Sequence, residues 1–286
     1  MAEIINTNLV SLNAQRNLSG TNSQLALAMQ RLSSGLRVNS AKDDAAGLAI
    51  SERMNSQVRG MNVAIRNAND GISLAQTAEG ALGKIGDMLQ RMRELAVQSS
   101  NATNGDSDRL NLDAEFQQLG DEVNRTISSS RFNGLQILAD DAGALVFQVG
   151  ANTTADDRIT ITTNQLSTDP AVAALTGGPG TTAPLPSDLT TVGTSQAAIG
   201  MVDTLLDVIN SNRADYGAAQ NRFEAVIANL QVSSENQAAA RSRIMDADFA
   251  AETAALTRAQ VLQQAGTAML AQANQTPQTV LQLLRG

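Results

Sequence analysis

The sequence predicts a mainly α protein: a long antiparallel helical bundle or coiled coil in two stacked layers, with a small β-hairpin region. Apolar residues recur every three or four positions across the proline-free interval 44–99, which is the period of one helix face. Aromatic residues make up only 2% of the chain, so Ala, Leu and Val must fill narrow seams between helices. Most of the remaining elements repeat the same helical spacing.

Composition excludes several classes of function. The chain has 286 residues, a formal net charge of -8 and neither Cys nor His. The acidic balance argues against binding nucleic acid through its phosphates. Without Cys or His there are no disulfides, no Cys/His zinc sites and no Cys–His or Ser–His–Asp nucleophiles. We therefore expect no enzyme, no cofactor and no metal. No apolar run approaches the roughly 18 residues of a membrane-spanning helix, so no membrane partner is expected.

The first two helices are predicted over residues 1–36 and 44–99. The first carries a stripe of Ile, Leu and Met residues with few charges, and Gly35 follows it as a helix-ending residue. Ser40 and Asp43 have the spacing of a capping box that opens the long helix. That helix would be roughly 80 Å long and requires partner helices alongside. Its glycines at 80, 83 and 86 do not fit a phosphate-binding motif, so we expect close helix packing there.

A turn at 101–106 leads into a third helix that ends near residue 128. Asp106 and Asp108 resemble the start of a calcium-binding EF-hand loop, but Leu110, Asn111 and Gln117 occupy positions that the loop reserves for other residues. Acidic residues at a helix N-terminus, favoured by the helix dipole, explain the two aspartates better. No calcium site is therefore predicted.

The period then changes from helical to alternating. Residues 145–149 and 159–163 alternate apolar and polar side chains and predict a β-hairpin. Residues 166–194 hold four of the five prolines and many Ser and Thr residues, which predicts a surface loop or a vestigial small domain. O-glycosylation of the Ser and Thr residues at 181–195 is an alternative reading of that composition. Helices resume over 195–240 and from 244, where Pro277 is expected to interrupt the last one.

The layout is mirror-like, because the chain passes up through two helical layers and returns through both. The two terminal helices would pair with each other and still leave apolar surface, which favours self-association. Ten sequence blocks then resemble bacterial flagellin in its short form, without large outer domains. They are RLSSGLR (31–37), NSAKDDAAG (39–47), RNANDGIS (66–73), AQTAEGAL (75–82), QRMRELAV (90–97), FNG (132–134), FQVGAN (147–152), ARSRI (240–244), RAQVLQQAG (258–266) and LAQAN (270–274).

The resemblance implies a structural subunit that self-assembles helically into the extracellular flagellar filament for motility. A hook–filament junction protein is the alternative. The resemblance to flagellin also implies three regions. They are a terminal coiled-coil domain D0 (1–36 and 244–286), a helical bundle D1 with the hairpin (44–165 and 195–240) and a short variable surface loop (166–194). The implied partners are further copies of the chain, an export chaperone, and filament cap and junction proteins. Export through the flagellar type III path without a cleaved signal peptide is also implied.

Two sets of site residues are predicted. Apolar residues of the terminal helices should form the polymerisation core: Ile5, Leu9, Leu12, Leu25, Met29, Leu32, Phe249, Leu256, Val261, Leu262 and Leu270. The resemblance also implies recognition by Toll-like receptor 5 of a vertebrate host, as part of innate immunity. The matching positions are Gln90, Arg91, Glu94, Leu95 and Glu115. An Arg beside an apolar residue on a convex helix face is the expected anchor of that contact.

Overall fold

The computed structural model describes residues 7–177 and 188–283, with side chains up to residue 275. The predicted mainly α fold is confirmed. The helices are α1 (Leu9–Ser34), α2 (Ala45–Ser99), α3 (Asp106–Ser129), α4 (Pro170–Thr176), α5 (Val192–Met245) and α6 (Phe249–Leu283). The strands are β1 (Arg131–Phe132), β2 (Leu135–Gln136), β3 (Ala144–Gln148) and β4 (Arg158–Thr162). The chain forms two compact units: unit 1 is Met1–Ser56 with Glu235–Gly286, and unit 2 is Gln57–Ser234.

Unit 1 is built on the antiparallel pair of α1 and α6. Gly35 ends α1 as predicted, because its φ of +70° is a left-handed conformation that glycine adopts freely. The connection after α1 lies beside the connection before α6. The Arg37 N–H donates to the Met245 carbonyl at 2.6 Å, and the Ala247 N–H donates to the Gly35 carbonyl at 2.9 Å. These bonds join the two connections within unit 1.

The predicted capping box at Ser40–Asp43 does not open the long helix. The Asp43 carboxylate accepts hydrogen bonds from the Ser40 N–H and hydroxyl and from the Asn39 N–H, all within the turn before α2. These bonds hold the pKa of Asp43 below its ordinary value. Asp44 is the residue that caps α2, since its carboxylate accepts from the Gly47 N–H at 2.8 Å. The prediction was wrong because Asp43 bonds within the turn, which leaves the next residue, Asp44, to cap the helix.

Unit 2 has a continuous apolar core between α2, α3, α5 and the hairpins. Its largest fully buried side chains include Phe116 on α3 and Phe223 on α5. The Phe223 ring packs edge-on against Phe147 of β3, with 5.5 Å between ring centroids. The hairpin therefore contributes to the core. The α2 face in this core comprises Ala68, Leu74, Ala75, Ala78, Leu82, Ile85, Leu89, Met92, Leu95 and Ala96.

Both hairpins of unit 2 are antiparallel. Strands β3 and β4 pair from Ala144 opposite Thr162 to Gln148 opposite Arg158, close to the predicted ranges. The shorter pair of β1 and β2 was not predicted from the sequence. Its two-residue turn is Asn133-Gly134, where both residues have positive φ (49° and 88°). An Asn-Gly turn of this kind is a strong hairpin signal.

The prediction of a surface loop at 166–194 is wrong for its described parts. Asp169 caps α4 by accepting from the Ala171 N–H at 2.8 Å, and Pro170 occupies the first helical position. The side chains of Leu166, Val172 and Leu175 are fully buried in the core. The proline signal marked a helix start rather than a loop. Residues 178–187, which include the first part (181–187) of the predicted glycosylation stretch, lie outside the described residues.

Close packing at glycine occurs at other positions than predicted. A Cβ at Gly80, Gly83 or Gly86 would meet no atom within 4 Å. A Cβ at Gly71, in contrast, would lie 2.7 Å from Cζ of Phe223. The predicted packing role was wrong for the three glycines because they do not face a neighbouring element.

Pro277 does not interrupt the last helix, which continues to Leu283. A proline inside a helix removes one N–H donor and leaves the carbonyl four residues earlier without its helical partner. That carbonyl belongs to Ala273, and it accepts from the Asn8 side-chain amide at 2.7 Å. The lost hydrogen bond is therefore replaced from α1's N-terminus.

Candidate assembly and recognition surfaces

The seam between α1 and α6 is narrow and lined by small residues. Ser11 and Ala28 of α1 are buried, as are Ala259 and Ala273 of α6. Leu18 approaches Gly266, where an added Cβ would lie 3.2 Å from Cδ1 of Leu18. Small side chains let the helices approach closely, but they bury little apolar area. The pair therefore cannot cover its larger apolar side chains by itself.

The structure divides the predicted polymerisation core into exposed and half-buried residues. Leu25, Leu32, Leu256 and Leu270 are half-buried, and Ile5 lies outside the described residues. The others are exposed in the single chain, from 47% for Leu12 to 65% for Leu9. They are Leu9, Leu12, Met29, Phe249, Val261 and Leu262. Val10 and Met269 lie outside the predicted set but are exposed to a similar degree, at 66% and 64%.

Some of these exposed residues line one open groove on the helix pair. Leu9 and Val10 of α1 form one wall together with Leu18. Leu262 and Met269 of α6 form the other. The only charged pair between the described parts of α1 and α6 is Arg31 with Glu252, at 3.0 Å. The groove is mainly apolar and is formed by both helices, with Asn13, Asn17 and Thr21 as the polar residues of its lining.

A separate polar cluster occupies the exposed face of α2 in unit 2. Nε and Nη2 of Arg91 both lie 2.9 Å from Oε1 of Glu115 on α3, and Nη1 lies 3.0 Å from Oε2 of Glu94. The hydrogen bonds to Glu94 and then to Glu115 raise the pKa of the Arg91 guanidinium. About half of the Arg91 side chain is exposed. Arg91 is therefore held in one orientation, which lowers the entropy cost of using it in a contact.

Four of the five predicted receptor positions lie at this surface, and Leu95 does not. Gln90 is exposed beside Arg91, Glu94 and Glu115. Leu95 has no exposed surface and packs in the unit 2 core, which contradicts a direct contact with a receptor. The exposed apolar residue is Val97 (47%), which lines a shallow groove with Gln90 and Glu94. Helical spacing could have predicted this grouping, because positions 90, 94 and 97 lie on one face of the helix.

The part of the chain that the structure describes contains neither a metal site nor a membrane span. No group of three or more carboxylates that could hold a metal ion occurs among the described residues. None of the helices in the described ranges is long and apolar enough to cross a bilayer.

Comparison with known proteins gives consistent matches at both ends. Residues 5–142 match the family described as "Bacterial flagellin N-terminal helical region". Residues 199–284 match the "Bacterial flagellin C-terminal helical region". A solved structure of a flagellar hook-associated protein from Vibrio parahaemolyticus has a TM-score of 0.56 and covers 71% of this chain and 100% of its own. It is 12% identical, so it shows likeness of fold alone.

Full-length relatives are similar as well. Flagellin of Halalkalibacterium halodurans is 49% identical over 283 residues, covering 99% of this chain and 100% of that protein. Flagellin A of Vibrio anguillarum is 37% identical over an alignment of 379 residues that covers 100% of both chains. Because the present chain has only 286 residues, it is a short form compared with that relative. Because both terminal regions match flagellin family regions and the relatives align over 99–100% of the chain, the chain belongs to the bacterial flagellin family.

Proposed function

We propose that this chain is the repeating structural subunit of a bacterial flagellar filament, outside the cell, and that it assembles helically with copies of itself. The observation that carries the proposal is the apolar groove on the α1–α6 pair. Leu9, Val10, Leu262 and Met269 are each about half exposed or more. A second copy of the chain supplies the matching apolar surface. Burying these residues between copies would then provide the free energy of assembly.

The geometry required is an open one. A contact between two different surfaces of identical subunits extends into a helix when its rotation does not close a ring. The role is structural and needs no catalytic group. The hook–filament junction alternative is not favoured, because full-length relatives are flagellins whereas the hook-associated match is limited to fold. Export through the flagellar path, with its chaperone, and contact with cap and junction proteins belong to the same proposal.

The test is electron microscopy of the purified full chain, seeded with short filament fragments in moderate salt. We expect long uniform tubes whose total length grows with added protein. Protein that stays monomeric with both ends intact would contradict the proposal and favour the junction role. Leu262→Asp tests the groove itself, because it places a charge there and should prevent growth.

We also propose that the Arg91 cluster is a recognition surface for Toll-like receptor 5 of a vertebrate host. Arg91 is the central group, held by Glu94 and Glu115. Glu94 also lines the shallow groove that contains the exposed Val97. Arg is a frequent hot-spot residue because it combines charge, hydrogen bonding and packing. Leu95 supports this surface from the core instead of contacting the receptor.

A receptor reporter assay on monomeric protein tests this second role. Arg91→Ala should lower potency about tenfold, the effect of losing one hot-spot residue. Arg125→Ala is the matched control, because Arg125 is another exposed Arg paired three residues from its Glu, here Glu122. Equal potency of Arg91→Ala and the wild type would show that this surface is not the receptor site. Assembly of the same variant would then reveal whether the cluster packs between subunits instead.

A further inference from the structure

One end of the α1–α6 pair is held by polar contacts on two residues. The Asn8 side chain uses both of its polar atoms. Its oxygen accepts from the Ser11 N–H at 3.0 Å and so caps α1, while its nitrogen donates to the Ala273 carbonyl at 2.7 Å. The Ser11 hydroxyl donates to the side-chain oxygen of Asn274 at 2.8 Å. Ser11 and Ala273 are buried, Asn8 is half-buried and Asn274 is exposed, so these bonds are partly shielded from water.

The Ala273 carbonyl is available to Asn8 because of Pro277. In a regular helix this carbonyl would accept from the N–H of residue 277, and proline has none. A buried carbonyl without a partner costs free energy comparable to a lost hydrogen bond. Asn8 supplies the missing donor from the other helix. Only one alignment of α1 along α6 brings the Asn8 amide to this position.

Apolar packing favours the same alignment at one position, where Leu18 of α1 lies against Gly266 of α6. Sliding α6 by one turn would bring Leu262 or Leu270 to the place of Gly266, so this contact opposes the slip. Elsewhere the buried seam residues are small and Ala recurs along α6, so the polar contacts add to a weak apolar preference. Two further polar contacts agree with the Asn8 register: Gln263 donates to Asn22 at 2.9 Å, and Arg31 pairs with Glu252 at 3.0 Å. The Gln263–Asn22 bond is exposed, whereas the Arg31–Glu252 pair is part-buried like the bonds of Asn8 and Ser11.

We propose that Asn8 and Ser11 form a register latch, in which Pro277 exposes the Ala273 carbonyl and Asn8 binds it, so that α1 and α6 pair in one alignment only. This inference deepens the proposed function and rests on it for its consequence in assembly. The groove for a second copy has Leu9 and Val10 on one helix and Leu262 and Met269 on the other. A slip of one turn, about 5.4 Å, would shift one wall against the other. The latch therefore sets the shape of the assembly surface.

Disulfide trapping measures the register directly, because the natural chain has no cysteine. Asn22→Cys with Gln263→Cys reports the observed alignment, and Asn22→Cys with Thr267→Cys reports a slip of one turn. In the otherwise unchanged chain we expect the first pair to close and the second to stay open. Adding Asn8→Asp keeps an acceptor for the Ser11 N–H but removes the donor, and should lower closure of the first pair at least severalfold.

Pro277→Ala is the decisive partner variant. Alanine restores the N–H that the Ala273 carbonyl needs within its own helix, so Asn8→Asp should become nearly harmless in that background. In seeded assembly, Asn8→Asp should raise the critical concentration about tenfold, the effect of an unpaired buried carbonyl. The double variant should return to within about threefold of the wild type. Gln24→Glu adds the same charge at an exposed position of α1 and should have little effect.

The outcomes separate the latch from the filament. An Asn8→Asp chain that traps and assembles like the wild type overturns the latch, as does a defect that Pro277→Ala does not relieve. Failure of the 22–263 pair to close in the unsubstituted background also overturns it. If the wild type forms no tubes while trapping follows the expected pattern, the proposed function fails and the latch stands.

Discussion

At the scale of single residues, Tyr216 packs in the apolar core, and burying its hydroxyl costs free energy. Its side chain is 3% exposed, and its hydroxyl has no hydrogen-bond partner among the described residues. Burial, with a smaller contribution from Asp215, raises the pKa of Tyr216 to about 12. A buried unpaired hydroxyl costs free energy relative to a ring without it. The aromatic ring, not the hydroxyl, is therefore what the core uses.

Tyr216→Phe should accordingly leave the free energy of unfolding unchanged or raise it by about 1 kcal/mol at pH 7. In the wild type the unfolded tyrosine ionises near pH 10, whereas the folded one holds its proton to about pH 12. Stability is full below pH 10 and falls as pH rises through that window, by about 2–3 kcal/mol in total. Urea unfolding at pH 8 and pH 11.5 measures this. A slope as steep in Tyr216→Phe would exclude Tyr216 as its source.

Gly71 is required by the close approach of Phe223. Gly71→Ala would place a Cβ 2.7 Å from the ring, so the core must shift, and we expect a loss of about 1–3 kcal/mol. Gly80→Ala is the matched control on the same helix. A Cβ there meets no atom within 4 Å, and replacing a helical glycine by alanine should stabilise by roughly 0.5–1 kcal/mol. Thermal unfolding of both variants checks the opposite signs, and equal shifts would contradict the packing argument.

At the scale of elements, Arg109 closes the C-terminal end of α2. It is 5% exposed and donates to the carbonyl of Ser99 and, at 2.9 Å, to that of Asn101. A cation at a helix C-terminus is favoured by the helix dipole and binds carbonyls that lack helical partners. The start of α3 thus fixes the end of α2.

Arg109→Met should destabilise the chain by about 2–4 kcal/mol, since it leaves two carbonyls without their donor while keeping most of the apolar stem. Arg125→Met is the control, because Arg125 forms an exposed pair with Glu122 and its loss should change stability little. Chemical denaturation followed by circular dichroism gives both values. Comparable losses in the two variants would show that capping contributes little.

How far the sequence predicted these elements depends on what held each one. The long helices and the β3–β4 hairpin follow from periodicity, since an apolar stripe must face a partner. Two local predictions were wrong because the sequence offered two readings. Either Asp43 or Asp44 could cap α2, and Pro170 could mark either a loop or the start of a helix. The tertiary structure decides between them. The burial of Leu95 follows from its helical phase. The resemblance matches sequence positions only, and it does not distinguish buried members of a motif from exposed ones. The Asn8–Ala273 bond joins residues 265 positions apart, and no local pattern predicts it.

At the scale of the whole molecule, charge is unevenly divided. Unit 1 has nine basic and eight acidic residues, whereas unit 2 has eleven basic and twenty acidic ones. The net charge is therefore -9 for unit 2 (11 − 20) and +1 for unit 1 (9 − 8), so we expect the unit 2 surfaces of neighbouring copies to repel each other. The chain also has no His or Cys and only two Lys, at 42 and 84, so little titrates between about pH 6 and 9.

Assembly should therefore depend on salt but hardly on pH in that range. Raising the ionic strength from 0.01 M to 0.15 M shortens the screening length from about 30 Å to about 8 Å, so seeded growth should accelerate severalfold. Growth at fixed salt should stay within about twofold from pH 6.5 to pH 8.5. Light scattering during seeded growth measures both. Growth that slows with added salt would indicate that attraction between charged surfaces, instead of apolar burial, drives association.

Deletion of residues 1–36 or 244–286 tests whether assembly resides in the terminal helices. Unit 2 has its own apolar core, formed by α2, α3, α5 and the hairpins, so each truncated chain should remain folded. Each lacks one wall of the groove between α1 and α6, so neither should polymerise, even with seeds. Circular dichroism and sedimentation velocity should show a cooperatively unfolding, helical monomer. Truncated chains that form tubes like those of the full chain would place the assembly contacts in unit 2, because only its surfaces remain intact in both.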